Sequence, residues 1–108
     1  MITIKMSDWS TYPIGSTPEE SPSNSFTCRN YFIIPTLKLA QRTNQVVEID
    51  IDGVNYSASW LEGVFKNLNY ELSEQFLKNK LFFVYIRDGK NDRYMKIIRK
   101  LIISYIQK

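Results

Sequence analysis

Val46-Val47-Glu48-Ile49-Asp50-Ile51-Asp52-Gly53-Val54, continuing through Asn55-Tyr56 into Ser57-Ala58-Ser59-Trp60-Leu61-Glu62-Gly63-Val64-Phe65, is the stretch that decides the fold. Val46 to Ile51 is rich in β-branched residues, which suit a pleated, half-buried surface, and Asp52-Gly53 is a turn pair that closes the strand. Beyond the turn the periodicity changes. Trp60, Leu61, Val64, Phe65 and Leu68 recur at helical spacing and mark one apolar face. Ser57 or Ser59 supplies the N-cap, since a serine hydroxyl accepts a hydrogen bond from an amide of the first turn. Glu48, Asp50 and Asp52 share one side of a regular strand. That side is predicted to be partly wet, so the sheet is expected to be covered on one face only.

Ile2-Thr3-Ile4-Lys5-Met6 alternates apolar and polar residues and is predicted as the first strand. Residues 10–25 gather Pro13, Gly15, Pro18 and Pro22 among serines, which breaks both helix and strand periodicity. This long loop is either mobile or a contact element, with Tyr12 and Ile14 as candidates to pin it to the body. Phe26 to Arg42 is predicted as a helix, with Phe26, Asn30, Ile33, Ile34, Leu37 and Ala40 on one face and Asn24 or Ser25 as its cap. Pro35 removes a helical hydrogen bond and is expected to kink that helix or divide it in two. A short turn, Ser73 to Lys78, begins at a Ser73 cap. Leu81 to Ile86 is nearly continuous apolar sequence before Arg87-Asp88-Gly89, as in a central strand buried on both faces. Asp92 to Gln107 is amphipathic, capped by Asp92, with Met95, Ile98, Leu101, Ile102, Tyr105 and Ile106 on one side. Strands alternating with helices predict an α/β fold: a small mixed or parallel β-sheet with helices packed mainly on one face.

The chain of 108 residues is 44% hydrophobic and 14% aromatic, enough for one domain spanning 1–108 with a single core. No apolar run reaches the roughly 20 residues of a membrane span, and Met1 to Met6 lacks the layout of a secretory signal. The expected location is cytoplasmic. Cys28 is the lone cysteine and there is no histidine, so cysteine–histidine and serine–histidine catalysis have no partner within the chain. No zinc site is expected either, with one thiolate and no imidazole. The four glycines are dispersed, which removes phosphate-cradling and dinucleotide fingerprints. The predicted protein is therefore not an enzyme and needs no cofactor.

Charge is distributed unevenly. Residues 1–73 hold five basic and eight acidic residues, a net −3, whereas residues 74–108 hold nine basic and three acidic, a net +6. Lys90, Arg93, Lys96, Arg99 and Lys100 are thus a candidate nucleic-acid surface, or else the solvated face of a helix. Asp50 and Asp52, with Glu48 and Glu62, have the residue types of a magnesium site or an acid–base pair. Asp52-Gly53 as a turn accounts for the same residues. Tyr56-Ser57-Ala58-Ser59 sits between strand and helix start, where amide hydrogens and the helix dipole would stabilise a phosphate on Ser59 or Ser57. N-capping is the simpler role for these serines.

Val46 to Val54, then Tyr56 to Glu62 and Phe65, resemble the central strand-turn-helix of the STAS-like domain family of unknown function. Tyr12-Pro13-Ile14-Gly15 and Ile34-Pro35 resemble that family's N-terminal part. The wider class includes anti-sigma factor antagonists, which bind kinase-like ATPases and are phosphorylated on a serine at this helix start. Ser59 matches that serine, although Ala58 stands where the antagonists have Asp, and Trp60-Leu61 where they have Ser-Gly. The resemblance implies a regulatory or adaptor domain that binds a protein partner, an ATPase or kinase-like protein, through Tyr56, Ser57, Ser59, Trp60, Glu62 and Lys66. Trp60 is a candidate either for an interface anchor or for the core. The alternative is a nucleic-acid-associated accessory protein that uses the basic C-terminal helix.

Overall fold

A computed structural model describes residues 1–84 and 92–106. Three strands, β1 (Ile2–Lys5), β2 (Val47–Asp50) and β3 (Leu81–Val84), form a parallel sheet in the order β1-β2-β3. Ile4 lies beside Ile49, which lies beside Phe83, and Val47 lies beside Leu81. All of these are buried, whereas Thr3, Lys5, Glu48, Asp50, Phe82 and Val84 at the alternate positions are exposed or half-buried. Successive strand side chains point to opposite faces, so one face of the sheet carries the core and the other meets solvent. The helices accordingly pack mainly on one face. A parallel sheet left open on one side is unusual, since its crossover helices normally cover both.

β1 ends one residue earlier than its alternation suggested. Met6 opens a one-turn helix, α1 (Met6–Trp9), because folding back there buries Met6 and brings Trp9 against Phe32 and Trp60 at ring-centroid distances of 6.4 and 6.0 Å. The chain from Ser25 to Arg42 is helical throughout, as α2 (Ser25–Cys28), a π turn (Arg29–Ile33) and α3 (Ile34–Arg42). Pro35 falls in the first turn of α3, where its missing N–H is tolerated. The wider π turn absorbs the interruption that a proline imposes on an α-helix. Asn24, not Ser25, is the cap: its Oδ1 accepts from the Thr27 amide at 2.7 Å.

α4 (Ala58–Phe65) follows β2 and is capped by Ser57, whose Oγ accepts from the Trp60 amide at 3.3 Å, so Ser59 is not the cap. A 3-10 turn (Leu68–Tyr70) leads to α5 (Glu74–Asn79), capped by Ser73. α4 approaches α2 closely at Gly63, where a Cβ would stand 2.6 Å from Ser25 Oγ and 3.0 Å from Ser25 Cβ. Arg29 of the π turn adds a second tie, its Nη1 donating to the Val64 carbonyl at 2.6 Å.

β2 is the central strand, and β3 lies at an edge with Phe82 48% exposed. The unbroken apolar run at Leu81 therefore does not mark burial on both faces. Its alternate residues serve two surroundings, Leu81 and Phe83 the core, Phe82 a surface cleft. Tyr85, Ile86 and Arg87-Asp88-Gly89 lie outside the described residues. α6 (Asp92–Ile106) packs on α4, with Met95, Ile98, Ile102 and Tyr105 buried and Leu101 and Ile106 half-buried. Gln107 and the side chain of the expected cap Asp92 lie outside what is described.

Asn24 is 1% exposed and also donates from Nδ2 to the Ser21 carbonyl at 2.7 Å, so it fastens the loop as well as capping the helix. Asn24→Ala is expected to cost about 2 kcal/mol, the upper end for a lost cap. Asn24→Ser, which keeps a capping acceptor and loses the amide donor without facing a second acceptor to the Ser21 carbonyl, should recover part of that in urea unfolding. Equal midpoints for wild type and Asn24→Ala would contradict this role.

Candidate functional site

Residues 10–24 form no helix or strand, yet the ends of this loop are tied. The Ile14 amide donates to the Ser23 carbonyl at 3.2 Å and the Ser25 amide to the Gly15 carbonyl at 3.0 Å, so two antiparallel arms close on each other. Gly15 sits at φ +86°, in the left-handed region that favours glycine. Ser10 and Ser23 hydroxyls meet at 2.9 Å, and Glu20 accepts from Ser16 at 2.9 Å and Thr17 at 3.3 Å. Trp60 Nε1 then donates to the Ser23 carbonyl at 3.0 Å and fixes the loop to α4. These bonds tie the segment to itself and to the body of the fold. Tyr12 and Ile14 do not pin it, being 70% and 51% exposed. Pro13 between them is buried, and backbone hydrogen bonds carry the attachment that side-chain hydrophobicity suggested.

A cleft of about 520 Å³ separates this loop from the start of α4. Tyr12, Ile14 and Glu20 line it from the loop, and Tyr56, Ser57 and Ser59 from the other wall. The sequence-derived residues Tyr56, Ser57, Ser59 and Trp60 are thus brought together. Ser57 and Ser59 are both exposed, but the Ser57 hydroxyl is engaged as the cap, which leaves Ser59 as the more accessible of the two. Trp60 is 3% exposed and belongs to the core. Glu62 and Lys66 lie further along α4, outside the cleft, and pair with each other at 3.2 Å. What sequence reading missed is the opposing wall: Tyr12 and Ile14 as exposed apolar groups, and Glu20 as the charged one.

Tyr56 is held firmly. Its hydroxyl donates to the Ile51 carbonyl at 2.9 Å, its amide donates to the Tyr94 hydroxyl at 2.9 Å, and that hydroxyl donates to the Tyr56 carbonyl at 3.2 Å. Burial pushes the Tyr56 phenol well above its ordinary range, with Tyr94 and Asp50 adding to the shift. The group stays neutral and serves as a strut between β2 and α6. The acidic cluster is a turn: Asp50 Oδ1 accepts from the Asp52 amide at 3.0 Å. Among the described residues no three acidic, cysteine or histidine side chains converge as metal ligands, and no helix is long and apolar enough to cross a membrane.

The basic set divides. Lys90 lies outside the described residues, Arg93, Lys96 and Lys100 are exposed along one stripe of α6, and Arg99 turns toward β3 to donate from Nε to the Phe83 carbonyl at 3.2 Å. The two-layer α/β architecture and the loop–helix cleft define a general class only. The chain matches no family model, no curated protein and no solved structure.

Beneath the cleft, Cys28 is fully buried and its thiol is pushed up to about 12 by that burial. The folded chain keeps this proton over a range in which the unfolded chain, titrating near 9.0, releases it. Stability therefore falls as pH rises from the unfolded value toward the folded one. Thermal melts of wild type and Cys28→Ala are expected to differ most below pH 9 and to converge as pH rises through 9 to 10, because the alanine variant lacks this loss. Parallel pH profiles for the two would contradict it.

Proposed function

We propose that this chain is a non-enzymatic regulatory or adaptor domain that docks a protein partner in the cleft between the 10–25 loop and the start of α4. The observation that carries the reading is the exposure of Tyr12 and Ile14, at 70% and 51%, on a loop whose backbone is tied down on both arms. Large apolar side chains held outward on a rigid support lose little conformational freedom when covered, the arrangement found at protein interfaces. Their position opposite Ser59 supports the same surface as the resemblance to STAS-like domains, from which an ATPase or kinase-like partner is inferred. Phosphorylation of Ser59 would add about −2 charge beside Glu20 and Glu62, a repulsive change suited to releasing a partner. Tyr56 and Trp60 support this surface from within, and the pair of Glu62 and Lys66 extends it along α4.

A second reading rests on Arg93, Lys96 and Lys100, exposed at helical spacing on one stripe of α6. A nucleic-acid-associated accessory protein would use that stripe for phosphate contacts, with binding that weakens steeply as salt rises.

Affinity capture from the native cell extract separates the two. Tyr12→Ser combined with Ile14→Ser, and separately Ser59→Asp, should keep the wild-type circular dichroism and lose an ATPase or kinase-like protein that wild type retains. Identical recovery by all three proteins, or recovery only of nucleic acid lost on Lys96→Glu with Lys100→Glu, would contradict the docking site.

A further inference from the structure

A second, larger cleft shares no lining residue with the first. Leu81, Phe82 and Phe83 all line it, and consecutive strand residues point to opposite faces, so it runs along the outer edge of β3. α5 contributes Leu77 to one wall, and α6 contributes Arg99, Ile103 and Ile106 to the other. These α6 residues recur at i, i+4 and i+7 and form a stripe distinct from both the buried face and the basic one. The volume is about 920 Å³. That is within the range of small-molecule sites, which are mostly apolar with a few placed polar groups.

Arg99 is the placed group. Its Nε is spent on the Phe83 carbonyl at 3.2 Å, which holds the guanidinium at the wall, and no acidic side chain among the described residues pairs with its terminal nitrogens. The cleft's other charges cancel, since Lys78 pairs with Glu74 at 2.9 Å. An oriented guanidinium with no acidic partner among the described residues, beside half-buried Ile103 and Ile106 and a half-exposed Phe82, is complementary to an anion with an apolar body. Its planar pair of donors matches a carboxylate in particular.

We propose that the cleft between α5, β3 and α6 binds an aliphatic carboxylate, with the chain against Leu77, Phe82, Ile103 and Ile106 and the carboxylate on Arg99. The site is separate from the loop–helix cleft and does not depend on the docking role.

The test is titration of the full chain with sodium decanoate below its micelle concentration, followed by calorimetry and by amide chemical shifts. Saturable binding is expected, with shifts centred on Leu81 to Phe83 and on Arg99 to Ile106. Decanol, which has the chain without the charge, should bind roughly tenfold more weakly, and Arg99→Gln should weaken decanoate by a similar factor. Phe82→Glu, at an exposed position, should also weaken decanoate while retaining the wild-type circular dichroism. Absence of saturable decanoate binding, equal affinity for decanol, or shifts confined to another surface would each overturn the proposal. Should Arg99→Gln fail to fold, the comparison of decanoate with decanol on wild type decides it alone.

Discussion

The Ser23 carbonyl oxygen accepts two hydrogen bonds, from the Ile14 amide at 3.2 Å and from Trp60 Nε1 at 3.0 Å, and on that oxygen the loop, the core and the cleft meet. A buried indole N–H left without a partner carries the desolvation cost of that donor, so Trp60 can take its place in the core only while Ser23 is held over it. Ser23 is held in turn by the loop's own antiparallel closure and by Asn24 next to it, which caps α2. Loop order, the start of the long helix and the packing of α4 are consequently coupled. The exposed Tyr12 and Ile14 owe their fixed positions to this coupling and not to burial of their own side chains.

The sheet distributes the remaining surfaces. Ile4, Val47, Ile49, Leu81 and Phe83 give one buried face, and Thr3, Lys5, Glu48 and Asp50 give a polar one that limits unwanted association of an open parallel sheet. At the outer edge of β3, Arg99 blunts the strand by donating to the Phe83 carbonyl, a form of edge protection that uses a charged side chain from a neighbouring helix. α6 thus has three stripes: Met95, Ile98 and Ile102 in the core, Arg99, Ile103 and Ile106 along the cleft, and the exposed Arg93, Lys96 and Lys100.

Much of this was legible in the sequence because local chemistry and tertiary structure agree. β2 and α4 follow from β-branched alternation giving way to helical spacing, and the caps Ser57, Ser73 and Asn24 from residue types whose side chains satisfy first-turn amides. The partly wet side of Glu48, Asp50 and Asp52 correctly signals a one-sided sheet. Three features were not legible for physical reasons. The loop's order rests on backbone hydrogen bonds, which leave no periodic trace. The position of β3 at an edge is hidden because an apolar run is the same whether its second face meets helices or a cleft. The course of the chain past Pro35 depends on a π turn that tertiary packing selects. Within the candidate site, the serines and Trp60 were visible from the helix start, whereas the opposing wall of Tyr12, Ile14 and Glu20 is brought there only by the folded loop.

The 10–25 loop is a wall joined to the core through Trp60 and Ser23. Native-state hydrogen exchange tests it most directly, read at the Trp60 indole N–H and at the Ile14 and Ser25 amides. All three are expected to be protected, with the two amides losing protection together when Trp60 is replaced by Phe, which keeps a ring and removes the donor. Exchange of the Ile14 and Ser25 amides at the rate of an unstructured chain in the wild-type protein would contradict it.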